Sequence, residues 1–195
     1  MVPYIGLTGG IGAGKSTALE ALARLGAAVL STDAVVHELY ESADVREAVV
    51  ERFGPSILHG GAIDRAALAA RAFADPADRA WLEGLLWPLV GDRMAAWRAD
   101  VEGTALAPPA AVVEVPLLFE SGMGGDFDAT IAIVADEALR AQRAGARGHG
   151  ALSERSARQL SQQEKAQRAT YQVVNDGSVE ELERKLSAVL EMLHR

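Results

Sequence analysis

The segment LTGGIGAGKST, residues 7–17, contains four glycines, the first lysine of the chain and a Ser-Thr pair. It follows a short apolar run, residues 4–7, that predicts a buried strand, and it precedes a pattern that predicts a helix over residues 15–25. Residues 9–16 match G-x-x-x-x-G-K-[ST] in this strand-loop-helix context. Glycines let backbone amides and a helix N-terminus approach an anion closely. The segment therefore predicts a site for the phosphates of a nucleotide.

The side chains of this segment predict binding of ATP and Mg²⁺. Lys15 should bridge the β- and γ-phosphates, and the Ser16 hydroxyl should ligate magnesium. The alternative is a glycine-rich turn that only caps a helix, but a chance match is rare because the chain has only three lysines. A dinucleotide site would need glycine at position 15. The other two lysines offer no [NT]-K-x-D element for guanine, and LSGGQ of transport-type ATPases is absent, so we favour a small-molecule kinase.

Five short apolar segments separated by helical patterns predict the fold. They are residues 4–7, 27–30, 111–115, 129–135 and 171–174. Alternating strands and helices are typical of parallel sheets with right-handed crossovers. We predict an α/β fold with a five-stranded parallel, doubly wound sheet, formed by residues 1–195 as one unit.

Two regions are predicted to be additions to that sheet. Residues 60–105 have a helical pattern throughout, which Trp87-Pro88 should interrupt. The glycines of residues 145–150 predict a hinge before a helix that begins near Ser153, which would make residues 138–168 a lid. Asp64 and Asp75-Pro76 are predicted helix starts, and the last helix should begin with a capping box of Ser178 and Glu181.

Composition narrows the class of protein. The 195 residues carry a net charge of −8 and no cysteine, which excludes disulfides and thiol catalysis and disfavours nucleic acid as partner. No membrane span or signal peptide is visible, so we expect a cytoplasmic protein without a membrane partner. Residues 140–168 are nevertheless basic, which favours a small anionic ligand over the alternative of a solvated helix face. The oligomeric state is not predictable.

A kinase also needs a carboxylate that accepts the proton of the acceptor hydroxyl. Asp33 lies just after the second predicted strand, at the sheet edge that carries the glycine segment, although it could also cap the helix that follows. Glu120 ends the apolar run of the third strand and could hold magnesium through water, and Glu114 within that run is expected to be structural.

Three arginines share one face of a predicted helix: Arg140, Arg143 and Arg147. Guanidinium groups can span phosphate oxygens and stabilise the group in transfer. The alternative is a solvated helix face.

Motifs along nearly the whole chain resemble the dephospho-coenzyme A kinase family. They are GLTGGIGAGKST, STD, FG, IDRAAL, FADP, VPLLFE, EK and VVNDGS, beginning at residues 6, 31, 53, 63, 73, 115, 164 and 173. The resemblance implies a P-loop kinase core, a helical acceptor-binding insertion and a helical lid. It also implies transfer of the ATP γ-phosphoryl group to the ribose 3′-hydroxyl of dephospho-CoA, with magnesium.

The resemblance implies the following site. The catalytic residues would be Asp33 as the base that activates the 3′-hydroxyl, Lys15, and Arg143 of the lid. Contacts to ATP would come from Gly12, Ala13, Gly14, Lys15, Ser16, Thr17, Arg147 and Asn175, with Asn175 near the adenine. Arg140 is added to these contacts because it shares the helix face of Arg143 and Arg147. The acceptor would contact Thr8, Asp33, His37 and Leu117.

Four positions depart from the family pattern. The first aspartate of D-A-D is Ser31, the frequent His-Pro is Trp87-Pro88, a lid glutamine is Arg140, and an aspartate before the last strand is Thr170. None of these positions is Lys15, Ser16 or Asp33, so we expect an active enzyme. The alternatives are a kinase for another small-molecule or nucleotide acceptor, or a nucleotide-dependent switch without catalysis.

Overall fold

The computed structural model describes residues 1–146 and 159–194. It divides into two compact units, the sheet unit (Met1–Ser31 and Arg98–Arg195) and the helical unit (Thr32–Trp97). Within the described residues, no helix has the length and apolarity that a membrane span requires. In chain order the elements are β1 (Tyr4–Gly9), α1 (Lys15–Arg24), β2 (Ala28–Ser31), α2 (Thr32–Glu41), α3 (Ala43–Phe53), β3 (Leu58–His59), β4 (Ala62–Ile63), α4 (Arg65–Ala74), α5 (Pro76–Glu102), β5 (Ala111–Glu114), β6 (Ala129–Val134), α6 (Glu137–Ala146), α7 (Gln162–Arg168), β7 (Tyr171–Val174) and α8 (Val179–Leu193). Short 3₁₀ turns lie at Pro55–Ile57 and Met123–Asp126.

The sheet unit is built on five parallel strands in the order β2-β5-β1-β6-β7. The predicted five-stranded parallel sheet is confirmed. Strand β1 is central, and its residues are all buried, as are those of β5 and β6. Burial on both faces explains why these strands appear in the sequence as continuous apolar runs and not as alternating patterns.

The core of the sheet unit lies where helices α1 and α8 cover the sheet. Leu22 of α1 and Leu182 and Leu186 of α8 are fully buried or nearly so, and they belong to one cluster with Ile5 and Ile131 of the strands. Each such side chain contributes about 1.5–3 kcal/mol when it leaves water. The packing fixes the carboxyl ends of the strands, which is the edge where ligands of such sheets bind.

The helical unit has its own buried residues, which come from α2, α3 and α4. Val35, Leu39, Val49, Phe53 and Leu68 are each less than 9% exposed. The prediction of helix throughout residues 60–105 is wrong at its start, because β3 and β4 form a small antiparallel hairpin there. Gly60 and Gly61 make its two-residue turn with φ angles of 59° and 84°, as tight hairpin turns require.

The predicted interruption at Trp87-Pro88 is also wrong. Helix α5 runs unbroken through Pro88. Pro88 cannot donate a hydrogen bond to the carbonyl of Gly84, and both residues lie on the exposed face of the helix. Water can therefore solvate that carbonyl, and the absence of a Gly84 side chain leaves room at this point.

Local sequence signals locate several helix starts correctly. Asp64 caps α4 by accepting from the amides of Ala66 and Ala67, and Pro76 is the first residue of α5. Ser178 and Glu181 form the predicted capping box of α8. Residues 147–150 of the predicted hinge lie outside the described residues. The predicted start of a helix near Ser153 also lies outside them.

Candidate active site

The glycine loop, residues 10–14, connects the end of β1 to the start of α1. Gly12 and Gly14 have φ angles of 77° and 92°, which favour glycine, and Gly14 is the residue that precedes the helix. The amide of Ala13 donates to the carbonyl of Gly10 at 3.2 Å, and the amide of Ala18 donates to that of Gly14 at 2.9 Å. The loop thus lies at the carboxyl end of the central strand and opens a helix.

Lys15 reaches back over the loop from the first turn of α1. Its ammonium donates to the carbonyl oxygens of Gly9 at 3.1 Å and Gly10 at 3.4 Å. Ser16, the next residue, is exposed, and Thr17 is half-buried. The first turn of α1 therefore presents a cation and a hydroxyl at the mouth of the loop, which suits phosphate and a hard metal ion.

Helix α6 packs against the outside of the glycine loop through Arg140. The Arg140 Nε donates to the carbonyl of Ile11 at 3.0 Å. A Cβ atom on Gly10 would lie 2.8 Å from the Arg140 guanidinium, and one on Gly12 would collide with the Arg140 backbone. Gly12 is thus needed for the close approach of α6 as well as for the shape of the loop, whereas a side chain at Gly10 would only displace the end of the Arg140 side chain.

Asn175 braces the same loop from the end of β7. Its buried side-chain amide donates to the carbonyl of Ala13 at 2.8 Å. A Cβ atom on Gly14 would collide with that amide nitrogen. Arg143 donates from Nη1 to the backbone carbonyl of Asn175 at 3.0 Å. Sequence reasoning placed Asn175 near the nucleotide but missed this contact with the loop.

A buried ion pair joins Lys165 of α7 to Glu120. The Lys165 side chain is fully buried and its Nζ lies 3.0 Å from Glu120 Oε1. The ammonium also donates to the carbonyl of Pro116 and, at 3.4 Å, to the Thr8 hydroxyl. Burial lowers the pKa of the Lys165 ammonium, and the Glu120 carboxylate opposes that shift.

These contacts correct one expectation and leave another untested. Lys165 does not contribute to an exposed basic surface, although it lies in the basic segment 140–168. Glu120 Oε1 accepts from Lys165 and from the amide of Leu160 at 2.8 Å, and the water-mediated contact of Glu120 with magnesium stays a prediction. Among the described atoms, Glu120 Oε2 is buried and accepts no hydrogen bond.

Two of the predicted acceptor contacts are Thr8 of β1 and Leu117 of the loop that follows β5. Thr8 is fully buried and its hydroxyl donates to the carbonyl of Pro116 at 3.4 Å. Leu117, the next residue, is 37% exposed. Glu114 is buried at the end of β5, in register with Leu7 and Ser31.

The remaining predicted acceptor residues lie in the helical unit. Asp33 is in the first turn of α2 and is exposed, and His37 lies one turn later and is also exposed. Trp87, which replaces a histidine of the family pattern, is 54% exposed on α5. Arg147 lies outside the described residues.

Thr170 makes a reciprocal hydrogen-bond pair at the position where the family pattern has an aspartate. Its hydroxyl accepts from the amide of Thr130, and the Thr130 hydroxyl accepts from the amide of Thr170, both at 3.0 Å. This reciprocal pair joins the start of β6 to the residue before β7. A threonine therefore supplies the acceptor that this junction needs.

Comparisons with known proteins identify the family of this chain. The model of the dephospho-CoA kinase family matches residues 3–181. A dephospho-CoA kinase of Deinococcus radiodurans is 44% identical over 193 residues, 97% of this chain and 91% of that protein. A crystal structure of a Thermus thermophilus protein has a TM-score of 0.81 at 36% identity and covers 98% of both chains. A dephospho-CoA kinase from Campylobacter jejuni has a TM-score of 0.70 at 26% identity, covering 99% of this chain and 98% of that one. This chain belongs to the dephospho-CoA kinase family.

Proposed function

We propose that this member of the dephospho-CoA kinase family transfers the γ-phosphoryl group of ATP to the ribose 3′-hydroxyl of dephospho-CoA. The products are coenzyme A and ADP, which makes the reaction the last step of coenzyme A biosynthesis. The observation that carries the proposal is the glycine loop at the carboxyl end of β1, in a chain that the family model matches over residues 3–181.

Catalysis in this site consists of positioning the reactants and stabilising charge, because phosphoryl transfer does not require the protein to form a covalent bond with the substrate. The glycine loop holds the phosphates with its backbone amides. Lys15 exchanges the carbonyls of Gly9 and Gly10 for the β- and γ-phosphate oxygens. Its present contacts place the ammonium over the loop, where this exchange needs no large movement of the side chain.

Asp33 is the proposed general base. Its carboxylate is exposed in the first turn of α2, two residues after the end of β2, where it can accept the proton of the 3′-hydroxyl. Thr8, His37 and Leu117 are the proposed acceptor contacts.

Arg140 and Arg143 are proposed to stabilise the transferring phosphoryl group. Both contact the glycine loop or the residue that braces it, which supports a role for their guanidinium groups toward the phosphates. Arg147 keeps the role that the family resemblance implies, and Asn175 is proposed to contact the nucleotide from the end of β7.

Magnesium suits the donors that the site offers. No three His, Cys, Asp or Glu side chains of the described residues form a metal cage. Mg²⁺ commonly binds one or two protein oxygens together with substrate phosphates, and the exposed Ser16 hydroxyl beside the loop is such an oxygen. When bound, the metal would neutralise charge on the β- and γ-phosphates.

The test is a coupled assay of ADP release with ATP, Mg²⁺ and dephospho-CoA. We expect ADP release that depends on dephospho-CoA, together with formation of coenzyme A by mass spectrometry. Adenosine, other nucleosides and shikimate serve as control acceptors. Faster turnover of one of these controls would assign the kinase to another acceptor, and tight ATP binding without any acceptor-dependent ADP release would favour a nucleotide-dependent switch.

Replacing Lys15 tests the phosphate site directly. Lys15→Ala should lower kcat/KM about 100-fold or more, the scale of a lost donor at developing charge. The matched control is Lys185→Ala, because Lys185 is a half-buried lysine of α8 that donates only to the carbonyl of Val174 among the contacts described. Equal activities of the two variants would contradict the placement of Lys15.

A further inference from the structure

Lys165 is the point at which three segments of the sheet unit meet. Its ammonium contacts Thr8 of β1, Pro116 of the loop after β5, and Glu120 at the end of that loop. The Oε1 atom of Glu120 also accepts from the amide of Leu160, which follows the undescribed part of the predicted lid. One buried cation thus connects the strand before the glycine loop, the loop after β5 and the C-terminal end of the lid region.

Stability alone does not explain a charged pair at this place. Removing an ammonium and a carboxylate from water costs several kcal/mol each, and their attraction offsets that cost only with good geometry. Well-packed apolar residues of similar size are often equally stable or more stable. Lys165 is fully buried and the Glu120 side chain is 13% exposed, so the full cost of desolvation applies to the lysine.

The contacts of Lys165 belong to the site of the proposed reaction or lie next to it, since Thr8 is itself a proposed acceptor contact. Thr8 directly precedes Gly9, whose carbonyl holds Lys15, and Pro116 directly precedes Leu117, a proposed acceptor contact. The glycine loop is braced separately, by Arg140 on Ile11 and by Asn175 on Ala13. Loss of the lysine should therefore leave the loop able to bind ATP.

We propose that Lys165 and Glu120 are a positioning pair for phosphoryl transfer, which holds the loop after β5 and the end of the lid in fixed register with β1. This inference rests on the proposed kinase function. The pair acts on turnover, because transfer requires reacting groups to be placed within a fraction of an ångström, whereas ATP binding tolerates more displacement.

The experiment separates positioning from stability with paired apolar replacements. Lys165→Met alone leaves the Glu120 carboxylate buried without its cation, and it should lower both Tm and kcat. The double variant Lys165→Met/Glu120→Leu removes both charges, and its Tm should return to that of the parent or exceed it. Its kcat should stay about 10-fold or more below the parent, with KM for ATP changed by only about 2-fold.

If kcat recovers together with Tm in the double variant, the inference is overturned, because the pair would then contribute only to the packing of the fold. Should the double variant fail to fold, Glu120→Gln decides, since glutamine keeps an oxygen for Leu160 and removes the charge; an unchanged kcat overturns the inference. Arg168→Met is the matched control, an exposed cation on the same helix, and both its Tm and its kcat should stay at the parent values. An inactive parent enzyme would refute the proposed function, whereas an active parent with an equally active double variant refutes only this inference.

Discussion

The three lysines of the chain show how far the environment decides the role of a residue. Lys15 donates to carbonyls at the mouth of the glycine loop, Lys165 is fully buried against Glu120, and Lys185 is half-buried on α8, where it donates to the carbonyl of Val174. Only the first environment leaves a cation next to a place where phosphate can bind. The three side chains have the same chemical group, but they differ in whether an anionic ligand can reach that group.

Asp33 is the residue on which proton transfer depends in the proposed reaction. Asp33→Asn keeps the size of the side chain but removes its basicity, so kcat should fall by about 10²–10⁴-fold, the usual contribution of a general base. Binding of ATP and of dephospho-CoA, measured by calorimetry, should change little.

Asp44→Asn is the matched control for this prediction. Asp44 is also an exposed aspartate in the first turn of a helix of the same unit, so both replacements lose a similar favourable interaction with a helix N-terminus. A drop in kcat that is equal in both variants would show that Asp33 acts on the helix and not on the acceptor.

Short-range signals predicted one part of the site and missed another. Lys15 and Ser16 belong to a pattern of eight residues, whose spacing is itself the requirement for wrapping a phosphate. Lys165 contacts Thr8 across 157 positions, and Asn175 contacts Ala13 across 162 positions. Such contacts depend on how the whole sheet is assembled, and a basic residue in a basic segment gives no signal that it will be buried.

At the scale of elements, the residue after β7 contributes to the shape of the glycine loop. Asn175→Ala removes the hydrogen bond to the Ala13 carbonyl, which should weaken ATP binding about 2- to 10-fold, as a net hydrogen bond is worth about 0.5–1.5 kcal/mol. Titration of ATP against both proteins measures the change.

Ser178→Ala controls for a general loss of stability near that site. Ser178 lies three residues after Asn175 and caps α8. The Ser178→Ala replacement should lower the unfolding free energy by about 1 kcal/mol. The affinity of the Ser178→Ala variant for ATP should equal that of the parent protein. Equal weakening of ATP binding in both variants would mean that Asn175 acts only through stability.

Pro88 offers a second test at this scale, since α5 accommodates it without a break. Pro88→Ala restores an amide donor for the Gly84 carbonyl and should raise the unfolding free energy by about 1 kcal/mol or more. In a chain of this size that corresponds to a rise in Tm of about 2–4 °C.

Pro76→Ala is the control for a proline at a favourable position. Pro76 is the first residue of α5, where the amide has no intrahelical acceptor and the fixed φ angle suits the helix. Its replacement should leave Tm unchanged or slightly lower. A lower Tm for Pro88→Ala would show that the proline stabilises α5 where it stands.

The elements were predictable where a local pattern was long enough to be specific. All five strands of the sheet appeared as apolar runs, and burial on both faces leaves no polar alternation in β1, β5 and β6. The caps at Asp64 and Ser178 carried their own signals. The hairpin of β3 and β4 was missed because two-residue strands are too short to show a period. The continuity of α5 was missed because the cost of a proline inside a helix depends on whether water can reach the unpaired carbonyl. The local sequence around Pro88 does not show which face of the helix is exposed.

At the scale of the whole molecule, the two units carry different parts of the proposed reaction. The glycine loop, Lys15 and the arginines of α6 belong to the sheet unit, whereas Asp33 and His37 belong to the helical unit. The helical unit also exposes two large apolar side chains, Phe73 at 37% and Trp87 at 54%. Residues 60–97 of the predicted insertion belong to this unit, and the acceptor-binding role of residues 60–105 stays a prediction.

Amide hydrogen exchange, followed by mass spectrometry of peptides, tests this division. ATP with Mg²⁺ should slow exchange in peptides that span residues 9–17, because the loop amides would donate to phosphate. Dephospho-CoA should in addition slow exchange within residues 60–105, since a ligand that binds a segment reduces its local opening. Adenosine, which lacks the pyrophosphate and the pantetheine arm, should give neither pattern at the same concentration. If dephospho-CoA protects peptides of the sheet unit alone, residues 60–105 do not bind the acceptor, and the specificity of the enzyme must come from β1 and the loop after β5.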